Sequence, residues 1–129
     1  MLLVKASIRP SPIHGMGCFA EEPIRKGQVV WRFDPRLDLV IPYEALGSFP
    51  QVTQDFLNMY GYATMQNGHK VIILCGDHAR HMNHSGTPNC LDAFLEGVEV
   101  NIAARDIAPG EELTCDYYSF DLDARQKLP

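Results

Sequence analysis

Two stretches of this chain carry residue types that could do chemistry. Arg80-His81-Met82-Asn83-His84-Ser85-Gly86-Thr87-Pro88-Asn89-Cys90 sets an Arg, two His, two Asn and a Ser beside Gly and Pro, without a helical or strand period. Such composition describes an ordered loop, where binding and catalytic side chains concentrate. Downstream, Gly110-Glu111-Glu112-Leu113-Thr114-Cys115-Asp116-Tyr117 reads as a turn feeding a strand that ends on an acid and a phenol. If the two stretches meet in space, they form one site. A third, Ile13-His14-Gly15-Met16-Gly17-Cys18, is a Gly-x-Gly turn whose glycines permit positive φ and close backbone approach to a ligand. Taken alone, the motif is weak and reads as a plain turn between strands.

Other constellations point nowhere specific. His78, His81 and His84 recur every third residue, but Gly86 and Pro88 argue against an extended helix and no Cys or carboxylate completes a familiar ligand set, so no metal is expected. Glu111 and Glu112 look like paired carboxylates, yet in a Gly-led turn they are expected to be solvated or bonded to the turn backbone. Cys18, Cys75, Cys90 and Cys115 form no CxxC pair and read as free thiols, with Cys18 and Cys75 in apolar surroundings.

The elements that must position these residues are mostly strands. Leu3–Ile8 reads as a strand ended by Pro10 and Pro12, Gln28–Phe33 as another, and Leu37–Ile41 as a third closed by Pro42. Between Pro42 and Tyr60 apolar residues recur at helical spacing, split by Gly47 and Pro50 into two short helices at most, with Gly61 as the stop. Asn67-Gly68 signals a hairpin between Tyr62–Met65 and Val71–Cys75, and Gly97 a second one within Leu91–Ala103. Leu113–Tyr118 reads as the last strand, and the polar tail 119–129 as partly mobile.

A length of 129 residues, with 46% hydrophobic and 21% charged, bounds the chain to one globular domain over 1–129, its core near 3–118. The net charge of -5 excludes a nucleic-acid backbone as main partner and suits a basic peptide or protein. No apolar run approaches the ~20 residues that span a bilayer, so no membrane partner is expected and the reading is soluble and cytoplasmic, or nuclear in a eukaryote.

Together the three stretches resemble a known family. His14-Gly15-Met16-Gly17, then Asn83-His84-Ser85 with Pro88-Asn89-Cys90, then Gly110-Glu111-Glu112-Leu113-Thr114 with Asp116-Tyr117, are similar in order to the signature motifs of the SET-domain lysine methyltransferases. The first motif is weakly specific; the second and third together are strongly so. The resemblance implies a mostly β fold of small curved sheets with short helices, its C-terminal segment threaded through a loop as a pseudoknot. It implies methyl transfer from S-adenosylmethionine to a lysine of a histone-like or other protein segment, with S-adenosylhomocysteine as product. It also leaves open a catalytically weak SET domain that binds peptides or proteins.

The family's roles carry over residue by residue. Tyr117 matches the catalytic tyrosine. His14, Gly15, Met16, Gly17, Arg80, Asn83 and His84 match cofactor-binding positions, Arg80 toward the cofactor carboxylate, Asn83 toward its amino group and His84 toward adenine through its backbone. Tyr60 and Tyr62 fall where an aromatic wall of the lysine channel is common, the choice between them open. Cys115 stands where Phe or Tyr is usual, which implies a roomier channel and di- or trimethyl products. No zinc-binding Cys-x-Cys module follows, so the channel is closed either by the tail, with Phe120 as lid, or by a second subunit as a homodimer.

Overall fold

A computed structural model describes residues 1–128, among which ten strands form four small sheets. β1 (Ala6–Pro10) and β2 (Met16–Ala20) make an antiparallel ribbon. β3 (Val29–Arg32) pairs with β9 (Val98–Ala103), which also pairs with β8 (Cys90–Leu95). β4 (Leu39–Pro42), β6 (His69–Leu74) and β5 (Tyr62–Gln66) form a third sheet in that order. The fourth is a two-residue parallel ladder of β7 (Asn83–His84) with β10 (Thr114–Cys115).

Local signals account for much of this. Asn67 and Gly68 both take positive φ, 50° and 78°, the backbone that a two-residue hairpin turn demands. Glu96 and Gly97 do the same at 52° and 76°, so one glycine marks a turn whose other residue is non-glycine. The helical pattern resolves into a 3-10 turn over Tyr43–Ser48 and α1 (Gln51–Tyr60), as its two breakers require. Gly61 ends α1 with φ -88°, not a left-handed cap; a Cβ there would lie 2.8 Å from the Leu57 carbonyl and 2.7 Å from an Ile72 methyl.

Three expectations need correction. The first strand runs over Ala6–Pro10, later than Leu3–Ile8 and through Pro10, because at the end of a two-stranded ribbon a missing N–H costs no ladder bond. The last strand shrinks to Thr114–Cys115: the Asp116 carboxylate accepts from the Tyr118 N–H at 3.0 Å and turns the chain into a 3-10 turn over Tyr117–Ser119. The tail is packed instead of loose. Buried Asp121 accepts from the Ala63 N–H at 3.0 Å, the Leu122 N–H reaches the Ala63 carbonyl at 2.9 Å, and α2 (Ala124–Lys127) follows.

The main core joins β2, β3, β8, β9 and β10 around Trp31, Ile24, Ile107 and Leu113. All four cysteines are buried in it and unpaired, and burial pushes the Cys18 and Cys90 thiols up to about 12. A smaller cluster of Ile41, Leu57 and Ile72 seats α1 on the β4-β6-β5 sheet.

Candidate functional site

The short parallel ladder brings the two chemistry-bearing stretches together. Thr114 lies beside Asn83 and Cys115 beside His84, and the Ser85 N–H extends the ladder to the Cys115 carbonyl at 3.0 Å. On the far side of the same segment, the Leu113 N–H bonds the Cys18 carbonyl at 2.8 Å. Residues 111–115 are thus held between β2 and the 83–90 loop, which is the contact that a threaded C-terminal segment implies. Asn89 completes the seam: 4% exposed, it accepts from the Thr114 N–H and donates to the Glu112 carbonyl, both at 2.8 Å.

Tyr117 is fixed at both ends. Its N–H donates to His84 Nδ1 at 3.0 Å, and its hydroxyl donates to the Met82 carbonyl at 2.6 Å. Nδ1 is therefore an acceptor without a proton, so its 3.6 Å approach to Asp116 is no ion pair in this arrangement. Burial, with Cys115 and Asp121 nearby, raises the Tyr117 phenol, which stays neutral at ordinary pH.

Asn83, 7% exposed, ties this ladder to the Gly-x-Gly turn. Its Nδ2 donates to the carbonyls of His14 at 3.0 Å and Met16 at 3.3 Å, and to Glu112 Oε2 at 2.8 Å. Gly15 has φ 47° with nothing within 4 Å of where a Cβ would stand, so the backbone beside it is open. Gly17 is the reverse: a Cβ would strike the Glu112 carboxylate and lie 3.0 Å from Ser11 Cβ. The side chains of His14 and Met16 are exposed, and only their carbonyls join the network.

Glu112 corrects the expectation of a solvated turn carboxylate. It accepts from Asn83 and from Ser11 Oγ at 2.8 Å and 2.9 Å, making it the cross-link between β1's end and the loop. Glu111 does behave as a turn residue, bonded to the Ala108 N–H and paired with Arg105 at 2.9 Å. No local pattern distinguishes the two; only the fold does.

Tyr117 also borders a cavity of about 50 Å³. That is room for roughly three to five waters at ~10–15 Å³ each. Tyr60, Tyr62, Cys115 and Phe120 all line it. Phe120 packs edge-on to Tyr62 at 5.2 Å and to Tyr117 at 5.8 Å, which brings the tail into the wall. Arg80 faces this cavity, its Nε donating to the Cys75 carbonyl at 3.0 Å, and takes no part in the Asn83 network.

Sequence reading missed three polar residues here. Asp92, Glu99 and Asn101 line the same cavity from β8 and β9, and Tyr62 donates its hydroxyl to Glu99 at 2.7 Å. Burial, then Glu99, pushes the Asp92 carboxyl far above its ordinary range. No cluster able to hold a metal occurs among the described residues.

Comparison with known proteins agrees with this geometry. The SET domain family model matches residues 15–118. Histone-lysine N-methyltransferase ATX2 of Arabidopsis thaliana is 34% identical over 121 residues, covering 89% of this chain and 11% of its own length. Histone-lysine N-methyltransferase 2D of Homo sapiens is 32% identical over 126 residues, covering 92% and 2%. The chain thus spans a small part of these relatives. Among solved structures, the Chaetomium thermophilum Polycomb Repressive Complex 2 superposes with TM-score 0.72 at 20% identity, over 96% of this chain and 17% of that one. A Plasmodium falciparum protein superposes with TM-score 0.64 at 21% identity, over 90% and 95%. Likeness at these identities speaks to fold, whereas the family match and the two relatives speak to descent: this chain belongs to the SET-domain family.

Proposed function

We propose that this chain transfers a methyl group from S-adenosylmethionine to the side-chain amine of a lysine in a basic protein segment, histone-like or other. The observation that carries this reading is the double attachment of Tyr117. Its backbone is held by His84, next to the Asn83-bound glycine turn, while its ring and hydroxyl border the cavity of Tyr60, Tyr62, Cys115 and Phe120. One phenol thus stands between a place for a cofactor and a place for a narrow side chain. The relatives' names support the same chemistry, and the net charge of -5 suits a basic substrate.

The residues present fit the cofactor. The open space at Gly15 and the close approach forced at Gly17 make a backbone cradle of the kind a methionine moiety needs, and Asn83 borders it. When bound, S-adenosylmethionine supplies an electrophilic methyl on a cationic sulfur. Arg80 is the guanidinium matching the family's carboxylate partner, and that role requires it to turn from the Cys75 carbonyl.

The chain's own task is to present a neutral amine in line. With a free pKa of about 10.4, only about one lysine in 2,500 is neutral at pH 7, an uphill step of about 4–5 kcal/mol. Enclosure among Tyr60, Tyr62, Cys115 and Phe120 favours the neutral amine once the ammonium has given up its proton. Tyr117, kept neutral by burial, orients the amine and does not take its proton.

Incubation with labelled S-adenosylmethionine and a histone panel or lysate tests this reading. Wild type should label, and Tyr117→Phe should label on the order of 100-fold less. Wild type that binds the cofactor and labels nothing would favour the binding-module alternative instead. Cys115, 4% exposed against the cavity, leaves the channel wide; exhaustive reaction should give di- or trimethyl-lysine by mass spectrometry, and Cys115→Tyr should stop at monomethyl.

A further inference from the structure

We propose that Glu99, flanked by Asp92 and Tyr62, is a cation-accepting and proton-taking site in the cavity beside Tyr117, receiving an alkylammonium and removing its proton. That the alkylammonium is a substrate lysine rests on the methyl-transfer reading; that the site takes an alkylammonium does not.

The β3-β9-β8 sheet sets up the site. Trp31 lies beside Asn101 and Asn101 beside Asp92, one row across three strands, and Glu99 is two residues from Asn101 on the same face. This face borders the cavity, where an apolar row would be the stable choice. The Tyr62 hydroxyl aims Glu99 by donating to it at 2.7 Å. Two polar atoms in the row have no partner: Nε1 of Trp31, a residue 2% exposed, and Oδ1 of Asn101. Buried polar atoms left unpaired oppose folding, and a ligand that donates to Asn101 Oδ1, with a water accepting from the indole N–H, would account for their retention.

Charge specifies the ligand. Burial and the adjacent Glu99 favour the protonated form of Asp92, so two full negative charges do not stand side by side in the cavity. Among the described residues neither carboxylate has a Lys, Arg or His ion-pair partner. Of the cations on the cavity wall, Arg80 is bonded to the Cys75 carbonyl, and Lys127 is paired with Asp121 at 2.7 Å. Of the other titratable groups on the wall besides Tyr60, the side chains of Tyr62, Tyr117, Cys75 and Cys115 are all raised by burial and neutral. An alkylammonium offers three donors and no acceptor, which suits Glu99 and Asn101 Oδ1, with a water able to meet the indole.

The step balances simply. An N–H bond of the ammonium breaks, the proton passes to a Glu99 oxygen, and nitrogen keeps the electron pair. The positive charge leaves the nitrogen with the proton, the net charge of the site is unchanged, and the freed lone pair is the nucleophile of methyl transfer. After product leaves, the proton returns from Glu99 to water.

Calorimetry with n-butylammonium, using 1-butanol as uncharged comparator, tests the site without turnover. Wild type should bind the ammonium and ignore the alcohol. Glu99→Gln should lose binding at least 10-fold. Glu99→Gln should also methylate at least 10-fold more slowly at pH 7.5 and recover toward wild type as pH approaches 10, where solution supplies neutral amine. Wild type that ignores butylammonium, or a Glu99→Gln loss equal at every pH, overturns the proposal, and the wild-type comparison stands even if that variant fails to fold. Wild type that binds butylammonium yet methylates nothing overturns the methyl-transfer reading and leaves this site standing.

Discussion

The two flanks of the β7–β10 ladder treat buried polar groups in opposite ways. On the glycine-turn flank, Asn83, Asn89, Glu112 and Ser11 pair with one another or with backbone. On the cavity flank, Trp31 Nε1 and Asn101 Oδ1 lack partners and Asp92 is held far from its ordinary ionisation. A saturated network is rigid and presents backbone, whereas an unsaturated one has valences left for a ligand. Tyr117 joins the two, bonded to His84 on one flank and bordering the cavity on the other.

If the first flank is a saturated scaffold, removing one member should cost the whole. Asn83→Ala withdraws the two N–H groups shared among the His14 and Met16 carbonyls and Glu112, and leaves Glu112 short of a partner in a partly buried place. We expect a loss of about 3 kcal/mol by urea unfolding, from the cost of orphaned buried acceptors. Cofactor affinity by calorimetry should fall with it, and an unchanged unfolding midpoint would break the contrast between the flanks.

Gly17→Ala comes next. Its Cβ would meet the Glu112 carboxylate and Ser11, neither a free chain end, so about 2 kcal/mol of overpacking cost is expected. Gly15→Ala meets no atom within 4 Å but places a side chain at φ 47°, for a smaller cost of about 1 kcal/mol. Thermal melts of the pair would show whether close approach or backbone conformation governs the turn.

The smallest effect should be on the unsaturated flank. A raised folded-state pKa for Asp92 means a contribution to stability present at low pH and lost as pH rises above the unfolded carboxyl value of about 4. Wild type should therefore lose melting temperature between pH 5 and 9 more steeply than Asp92→Asn. At pH 9 the variant should melt roughly 4 °C higher, the shift of about 1 kcal/mol in a domain of this size. Parallel pH profiles would show that Asp92 does not titrate in this range.

What was legible in the residues follows the range of the interactions. The hairpin at Asn67-Gly68 and the breakers Gly47 and Pro50 act over a few residues, and they were legible. Glu112 and Glu111 are neighbours with the same side chain, and only contacts 29 and 101 residues away in sequence separate the cross-link from the turn residue. Asp92 and Glu99 alternate with apolar residues as a solvent-facing set would, but Met59–Tyr62 and the tail cover their face.

The chain's order of residue types determined by itself the mostly β character, the turns and the three motifs, because propensity and turn chemistry are local. The tertiary structure alone decided that Asn83 holds both the glycine turn and Glu112, that the tail closes a wall with Phe120, and that two carboxyls share a buried cavity. Each of these depends on which distant segments exclude water from a given side chain, and burial is a property of the assembled fold.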